Sequence, residues 1–183
     1  NTTTTSGTAA GQAGATVTFV PAQAGNAYLV CTTHGINMGS HYNPITVTPS
    51  TTLANVENMQ EMFRGATTFN NGHTVGGSSN PLNHWNVSAV ENMEGMFRDA
   101  TAFTQNISYW NVSSVENMDS MFYGATAFNE DVTKWNVSSV TDMENMFRDA
   151  TNFNQNIKIW APTTGVTLTS MFNGASAMNT QYN

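Results

Sequence analysis

Cysteine and charge are the scarcest components of this 183-residue chain. Cys31 is the single cysteine, so no disulfide can form within the chain. Charged residues make up 9% of the sequence, against about 25% in an average soluble protein. Asn, Thr, Ser and Gln must therefore cover most of the surface. The chain has 5 Lys and Arg against 12 Asp and Glu, a net charge of −7, which argues against nucleic acid and anionic membrane surfaces as partners, because both need basic patches.

Long apolar runs are also missing. No stretch approaches the roughly 18 consecutive apolar residues that a transmembrane helix needs, so we expect no membrane span. The length suits one ordinary domain or two small ones.

The sequence is dominated by an internal repeat with a period of 25 residues. Tryptophan recurs at that spacing, and the first three copies read Trp-Asn-Val-Ser; the four positions are Trp85, Trp110, Trp135 and Trp160. An apolar pattern, Val-x-x-Met-x-x-Met-Phe-x-x-Ala-x-x-Phe, accompanies them. It begins at Val56 in the first of five copies, and a degenerate last copy begins at Val166.

The apolar spacing predicts a short α-helix in each copy. Positions 3, 6, 7 and 10 after the Val lie on one stripe of a helix. Ser88 and Glu91 have the spacing of a capping box at the helix start. We expect the helix to end at residues that tolerate a left-handed conformation, such as Asp99 and Gly124. A short strand-like segment around each Trp completes the predicted unit.

A single such unit cannot bury its own apolar stripe, so we expect successive units to stack as a solenoid with parallel segments about 4.8 Å apart. The predicted solenoid spans residues 51–183 in about five coils. The lockstep spacing of Met favours core packing over a metal- or lipid-binding surface. The predicted core of the repeat includes Met93, Met96, Phe97, Trp110, Met118, Met121, Phe122, Trp135, Met143, Met146 and Phe147.

Asparagine keeps the same register as the apolar stripe. We expect its side chains to satisfy backbone groups at the turn of each coil. Asn86, Asn106, Asn111 and Asn136 also stand in Asn-x-Ser glycosylation sequons. We favour the structural role, since the motif repeats because the coil repeats.

The full pattern, Trp-Asn-Val-Ser-Ser-Val-x-x-Met-x-x-Met-Phe-x-x-Ala-x-x-Phe-Asn, resembles the BspA-type leucine-rich-repeat surface proteins, also described by a 26-residue Mycoplasma-type surface-lipoprotein repeat. The resemblance covers about residues 53–183. It implies an α/β solenoid like that of leucine-rich repeats, displayed on a surface and used for attachment or protein contact. It brings no shared catalytic residues. In the last copy Ala161-Pro162-Thr163-Thr164 replaces Asn-Val-Ser-Ser, as expected of a terminal coil.

The first fifty residues differ from the repeat in composition and in the pattern of apolar residues. Residues 1–14 are rich in Thr, Ala, Gly, Ser and Gln, which predicts a flexible arm or linker. Residues 15–50 contain short alternating segments, such as the one with Val17 and Phe19, which predict a small β-rich unit.

That β-rich unit resembles the C-terminal half of a cupredoxin. Cys31, His34 and Met38 match three of the copper ligands as Cys-x2-His-x3-Met, a ligand set suited to copper. The resemblance implies a second His several strands upstream, and no His precedes residue 34. Two alternatives follow: a β-rich cap with Cys31 buried and no cofactor, or a copper site completed by residues from elsewhere.

The sequence therefore predicts a non-enzymatic structural or interaction protein, located extracellularly, on a cell surface or on a virion surface. Adhesion, assembly and virion decoration all fit, with protein partners that include the chain itself or a larger surface assembly. The alternative is copper binding or electron transfer through the Cys-His-Met loop.

Hydrolysis is disfavoured, because a glycosidase needs two carboxylates at one cleft. The candidate carboxylates fall instead on the polar sides of successive repeats: Glu91, Glu116, Asp142 and Glu144.

Truncating the predicted stripe should destabilise the protein. We expect Met118→Ala or Phe122→Ala to lower the free energy of unfolding by about 2–5 kcal/mol, as large core truncations do. Thermal and denaturant melting of the two variants measures the loss. Unchanged melting in both would mean that the stripe faces water.

Overall fold

The computed structural model describes residues 2–6, 16–20, 25–26, 46–47, 56–70 and 81–178. Its strands are β1 (Thr2–Ser6), β2 (Thr16–Val20), β3 (Gly25–Asn26), β4 (Thr46–Val47) and β5 (Val56–Asn58). One 3₁₀ helix spans Pro81–His84. The described ranges contain no α-helix.

The N-terminal strands form a three-stranded sheet in the order β1-β2-β4. β1 and β2 are antiparallel, with Thr2 opposite Val20 and Ser6 opposite Thr16, and β4 pairs in parallel with β2. Within the segment predicted as a flexible arm or linker, residues 2–6 form strand β1. Threonine is β-branched and favours strands, a preference that a reading based on overall composition overlooks.

The predicted helices of the repeat are wrong. Residues 60–65, 94–99, 119–124, 144–149 and 169–174 form successive turns instead. In the second copy alternate N–H groups donate to the carbonyl three residues back: Met96 to Met93 (3.1 Å), Arg98 to Gly95 (3.0 Å) and Ala100 to Phe97 (3.0 Å). The predicted cap is absent as well, because the Ser88 N–H donates to Asn86 Oδ1.

The remaining N–H groups point away from their own coil and donate to carbonyls of the next coil. In the second copy these bonds run from Met93 to the carbonyl of Asn117 (2.9 Å), Gly95 to Asp119 (2.8 Å), Phe97 to Met121 (2.9 Å) and Asp99 to Tyr123 (2.7 Å). Four such bonds join each copy to the next along the chain. Parallel bridges mark the register at Asn58, Asn92, Asn117, Asp142 and Thr167. We call these joined copies, residues 56–70 and 81–178, the repeat stack.

Left-handed residues explain why the apolar stripe does not become helical. The left-handed residues predicted at Asp99 and Gly124 are present, with φ of 58° and 67°. A second left-handed residue lies four positions earlier in each copy, Gly95 with φ of 57° and Ser120 with φ of 54°. An L-residue helix cannot continue through such a position without strain, so the chain turns at both points.

Aromatic columns run through the core of the repeat stack. One column stacks Phe63, Phe97, Phe122, Phe147 and Phe172 with ring centroids 5.4–5.9 Å apart. Phe69, Phe103, Phe128 and Phe153 form a second column, at 5.8–6.1 Å. Offset stacking of this kind adds to the burial of apolar area. All eleven residues that the sequence assigns to the repeat core are buried, and the most exposed, Trp135, is 4% exposed.

Asp and Gly interlock between neighbouring coils. The Asp99 carboxylate occupies the space that a Cβ on Gly124 would need, and Asp149 lies against Gly174 in the same way. Glycine is therefore required at position 124 by the neighbouring carboxylate; the positive φ favours glycine, but Asp99 adopts a similar φ at the equivalent position of the preceding coil.

Adding a methyl group at Gly124 tests the contact with Asp99 separately from the strain of a positive φ. We expect Gly124→Ala to lose about 2–4 kcal/mol of stability, since it combines left-handed strain with overpacking. Gly65→Ala is the matched control, because Gly65 has a φ of 68° and nothing within 4 Å of its would-be Cβ. The control should lose only the strain, about 1–2 kcal/mol. Equal losses in chemical denaturation would show that Asp99 does not press on Gly124.

Candidate functional site

Asparagine side chains close a turn in each coil, which confirms their predicted structural role. The Oδ1 atoms of Asn86, Asn111 and Asn136 accept the N–H of the residue two positions on, at 3.1, 3.2 and 3.1 Å. All three are exposed members of the Asn-x-Ser motif. Asn106 makes the same contact with Ser108 at 2.9 Å. These side chains therefore hold the backbone of the coil in place.

Asp131 takes the place of Asn106 in the third coil. Its Oδ1 accepts the Thr133 N–H at 2.9 Å and the Thr133 hydroxyl at 2.6 Å. These two bonds, with the charge of Lys134, hold the pKa of the Asp131 carboxyl below its ordinary value, against a small opposing effect of burial. The carboxylate thus acts as a turn-closing acceptor.

The carboxylates considered for hydrolysis lie on three successive coils, with Asp142 and Glu144 on the same one. Glu91 and Glu116 are exposed, whereas Asp142 and Glu144 are half-buried. Asp142 accepts the backbone N–H of Glu144 at 2.9 Å, so it too closes a turn. Among the described residues, no group of three or more His, Cys, Asp and Glu is arranged to hold a metal ion.

An Arg–Tyr–Arg column crosses three coils on the outside of the stack. The guanidinium carbons of Arg98 and Arg148 lie 4.5 and 5.5 Å from the ring centroid of Tyr123, within cation–π range. Each Arg also pairs with the Asp that follows it, Asp99 at 3.8 Å and Asp149 at 3.6 Å. Sequence reasoning missed this column, although its signal is visible as Arg, Tyr and Arg after successive Met-Phe pairs.

A cavity of about 310 Å³ opens where the last described coil meets the coil before it. Its apolar walls include Met143, Ile157, Trp160, Leu168, Met171 and Phe172. Leu168 is 49% exposed and Trp160 is only half-buried, unlike the three buried tryptophans before it. The sequence did not predict this cavity. Its size and apolar lining are typical of sites that bind a small group.

The predicted copper ligands Cys31, His34 and Met38 lie outside the described residues, so the copper site stays a prediction. Within the described ranges, no helix is both long and apolar enough to cross a membrane.

Coils of the same backbone pattern recur every 25 residues from Trp85 onward and stack on one another, which defines a repeat protein. The chain belongs to the family described as "Mycoplasma protein of unknown function, DUF285", which matches residues 49–77 and 73–183. No curated protein and no solved structure matches the chain.

Proposed function

We propose that this chain is a non-enzymatic, surface-displayed structural or interaction protein, built on a solenoid like that of BspA-type leucine-rich repeats. The coils of this solenoid consist of turns instead of helices. Membership of a Mycoplasma protein family supports a repeat protein of this type. Surface display and attachment come from the BspA resemblance of the repeat sequence.

The observation that carries the proposal is the contrast between a constant frame and an exposed position whose side chain changes from coil to coil, which we call the variable column. Inside the stack the same residue types recur in every coil. At the exposed turn before each Trp, the residue changes from Tyr109 to Lys134 to Ile159 in successive coils. Tyr109 and Ile159 are 74% and 71% exposed, and exposed aromatic and aliphatic side chains are typical of protein contacts.

The favoured partner is a second copy of the chain or a larger surface assembly. We expect the average mass measured by light scattering during size exclusion to rise with protein concentration. Replacing both apolar members of the variable column, Tyr109→Ser with Ile159→Ser, should weaken self-association by about tenfold or more, because two apolar side chains lose their buried contact.

The matched control is Asn152→Ser, an exposed substitution on the same stack. It should change neither self-association nor melting temperature. A monodisperse monomer at every concentration would contradict self-association as the function of this surface.

Copper binding is the second candidate, favoured by the Cys-x2-His-x3-Met spacing. That segment lies in the sequence between β2 and β4, two strands that pair in parallel. Added Cu(II) should produce strong visible absorption from a copper–thiolate bond, and Cys31→Ser should abolish it. Asn152→Ser, which removes no candidate copper ligand, should leave it intact. A colourless protein without stoichiometric copper would contradict this candidate.

A further inference from the structure

The ladder that joins the coils of the repeat stack continues into the N-terminal part of the chain. Strand β3 pairs in parallel with β5, the strand that opens the first coil, with Gly25 opposite Val56 and Asn26 opposite Asn58. The column of parallel bridges then runs through the coils at Asn58, Asn92, Asn117, Asp142 and Thr167. β3 therefore adds one rung to this column, on the side of the first coil that faces away from the second coil.

The residue type at the added rung is the same as in the coils. In four coils the Asn or Asp of the bridge accepts, through Oδ1, the N–H of the residue two positions on, at 2.8–2.9 Å; these residues are Asn58, Asn92, Asn117 and Asp142. Asn26 brings asparagine to the same position of the register. Register and residue type together indicate that β3 follows the pattern of the stack, although its segment lacks the Trp and Met-Phe signature of the repeat.

The first coil is covered on both of its sides. The second coil lies against one side only, yet Val56, Met59, Phe63 and Phe69 of the first coil are at most 3% exposed. Their counterparts in the second coil, which has a coil on either side, are 0% exposed. The terminal coil of a repeat protein needs a cap to reach such burial, and β3 is the described element that lies on the side away from the second coil.

The edge that β3 meets is a row of backbone acceptors. In the second coil the carbonyls that accept N–H groups of the preceding coil belong to Asn92, Glu94, Met96 and Arg98. The equivalent carbonyls of the first coil begin at Asn58, where β3 pairs, and continue at Gln60, Met62 and Arg64. A row of this kind at a sheet edge can recruit a strand from another chain, so β3 decides whether the edge is available.

We infer that the outer edge of the first coil is a strand-binding surface, which β3 occupies from within the same chain and thereby closes against a second copy. β3 acts as the N-terminal cap of the repeat stack, and it couples the N-terminal unit to the coils. Naming a second copy as the excluded partner rests on the proposed self-association, whereas the occupation of the edge by β3 does not.

A disulfide trap tests which strand occupies the edge. Asn26→Cys with Asn58→Cys, in a Cys31→Ser background, replaces two residues that lie opposite each other in the register. Neighbouring strands are about 4.8 Å apart, within the Cα separation that a disulfide spans. Mild oxidation of the full chain should therefore give mainly an intramolecular bond, which mass spectrometry of the unreduced protein detects.

The matched control for the trap is Asn26→Cys with Asn92→Cys, two rungs apart in the same column. It should cross-link at least tenfold more slowly. Equal rates for the two pairs would overturn the inference. A bond between two chains in the first pair would overturn occupation from within the same chain.

Proline in β3 tests whether this strand closes the edge. Gly25→Pro with Asn26→Pro removes both N–H groups of β3, so hydrogen exchange over residues 56–63 should become at least tenfold faster. Residues 115–124, which have a coil on either side, should keep their rate. Thr3→Pro with Thr4→Pro in β1 is the matched control and should leave residues 56–63 unchanged. Equal acceleration by both pairs, or none, would overturn the role of β3, and the disulfide trap decides the question if a proline variant fails to fold.

Light scattering separates the cap from the variable column. In the Tyr109→Ser, Ile159→Ser background, the two prolines in β3 should raise the average mass to at least that of a dimer, because pairing at the edge does not use the variable column. An unchanged mass would overturn the exclusion of a second copy. A failure of the self-association proposed for the variable column would leave the disulfide and exchange results, and with them the cap, unaffected.

Discussion

Hydrogen bonding that alternates along the backbone governs the whole repeat stack. From Met93 to Asp99, every second N–H binds the next coil and the intervening ones close turns. Buried backbone groups must be paired, so a coil of this kind is complete only beside a neighbour in the same register. A shift of one residue would exchange the two sets of N–H groups and turn the apolar stripe outward. The backbone thus requires a common register between coils, and this register is kept between the first two copies although their equivalent residues are 34 positions apart.

Register places equivalent residues on top of one another, and this selects which residue types the stack can use. Phenylalanine and indole rings tolerate a like neighbour at 5.4–6.5 Å, and an Asn that closes its own turn makes no demand on the next coil. Like charges repel at such spacing. The exposed Glu91 and Glu116 are screened by water, whereas the partly covered Arg98 and Arg148 are separated by Tyr123. The low charge content follows from the architecture.

The period and the identity of the core could be predicted from the sequence, because both depend only on which positions recur as apolar. The helix could not be excluded in that way, since a series of turns brings Val, Met and Phe to one side at the same intervals as a helix does. The distinguishing signal was a small or polar residue at two positions four apart, Gly95 and Asp99 in the second copy. The Arg–Tyr contacts and the cavity depend on which coil lies beside which, and a repeat read one copy at a time does not contain that information.

The side of the stack separates the positions that recur from those that change. Tyr109, Lys134 and Ile159 occupy the same exposed turn in successive coils, and the hydrogen bonds that join the coils come from backbone groups of other residues. Side chains at this turn can therefore differ from coil to coil without disturbing the frame.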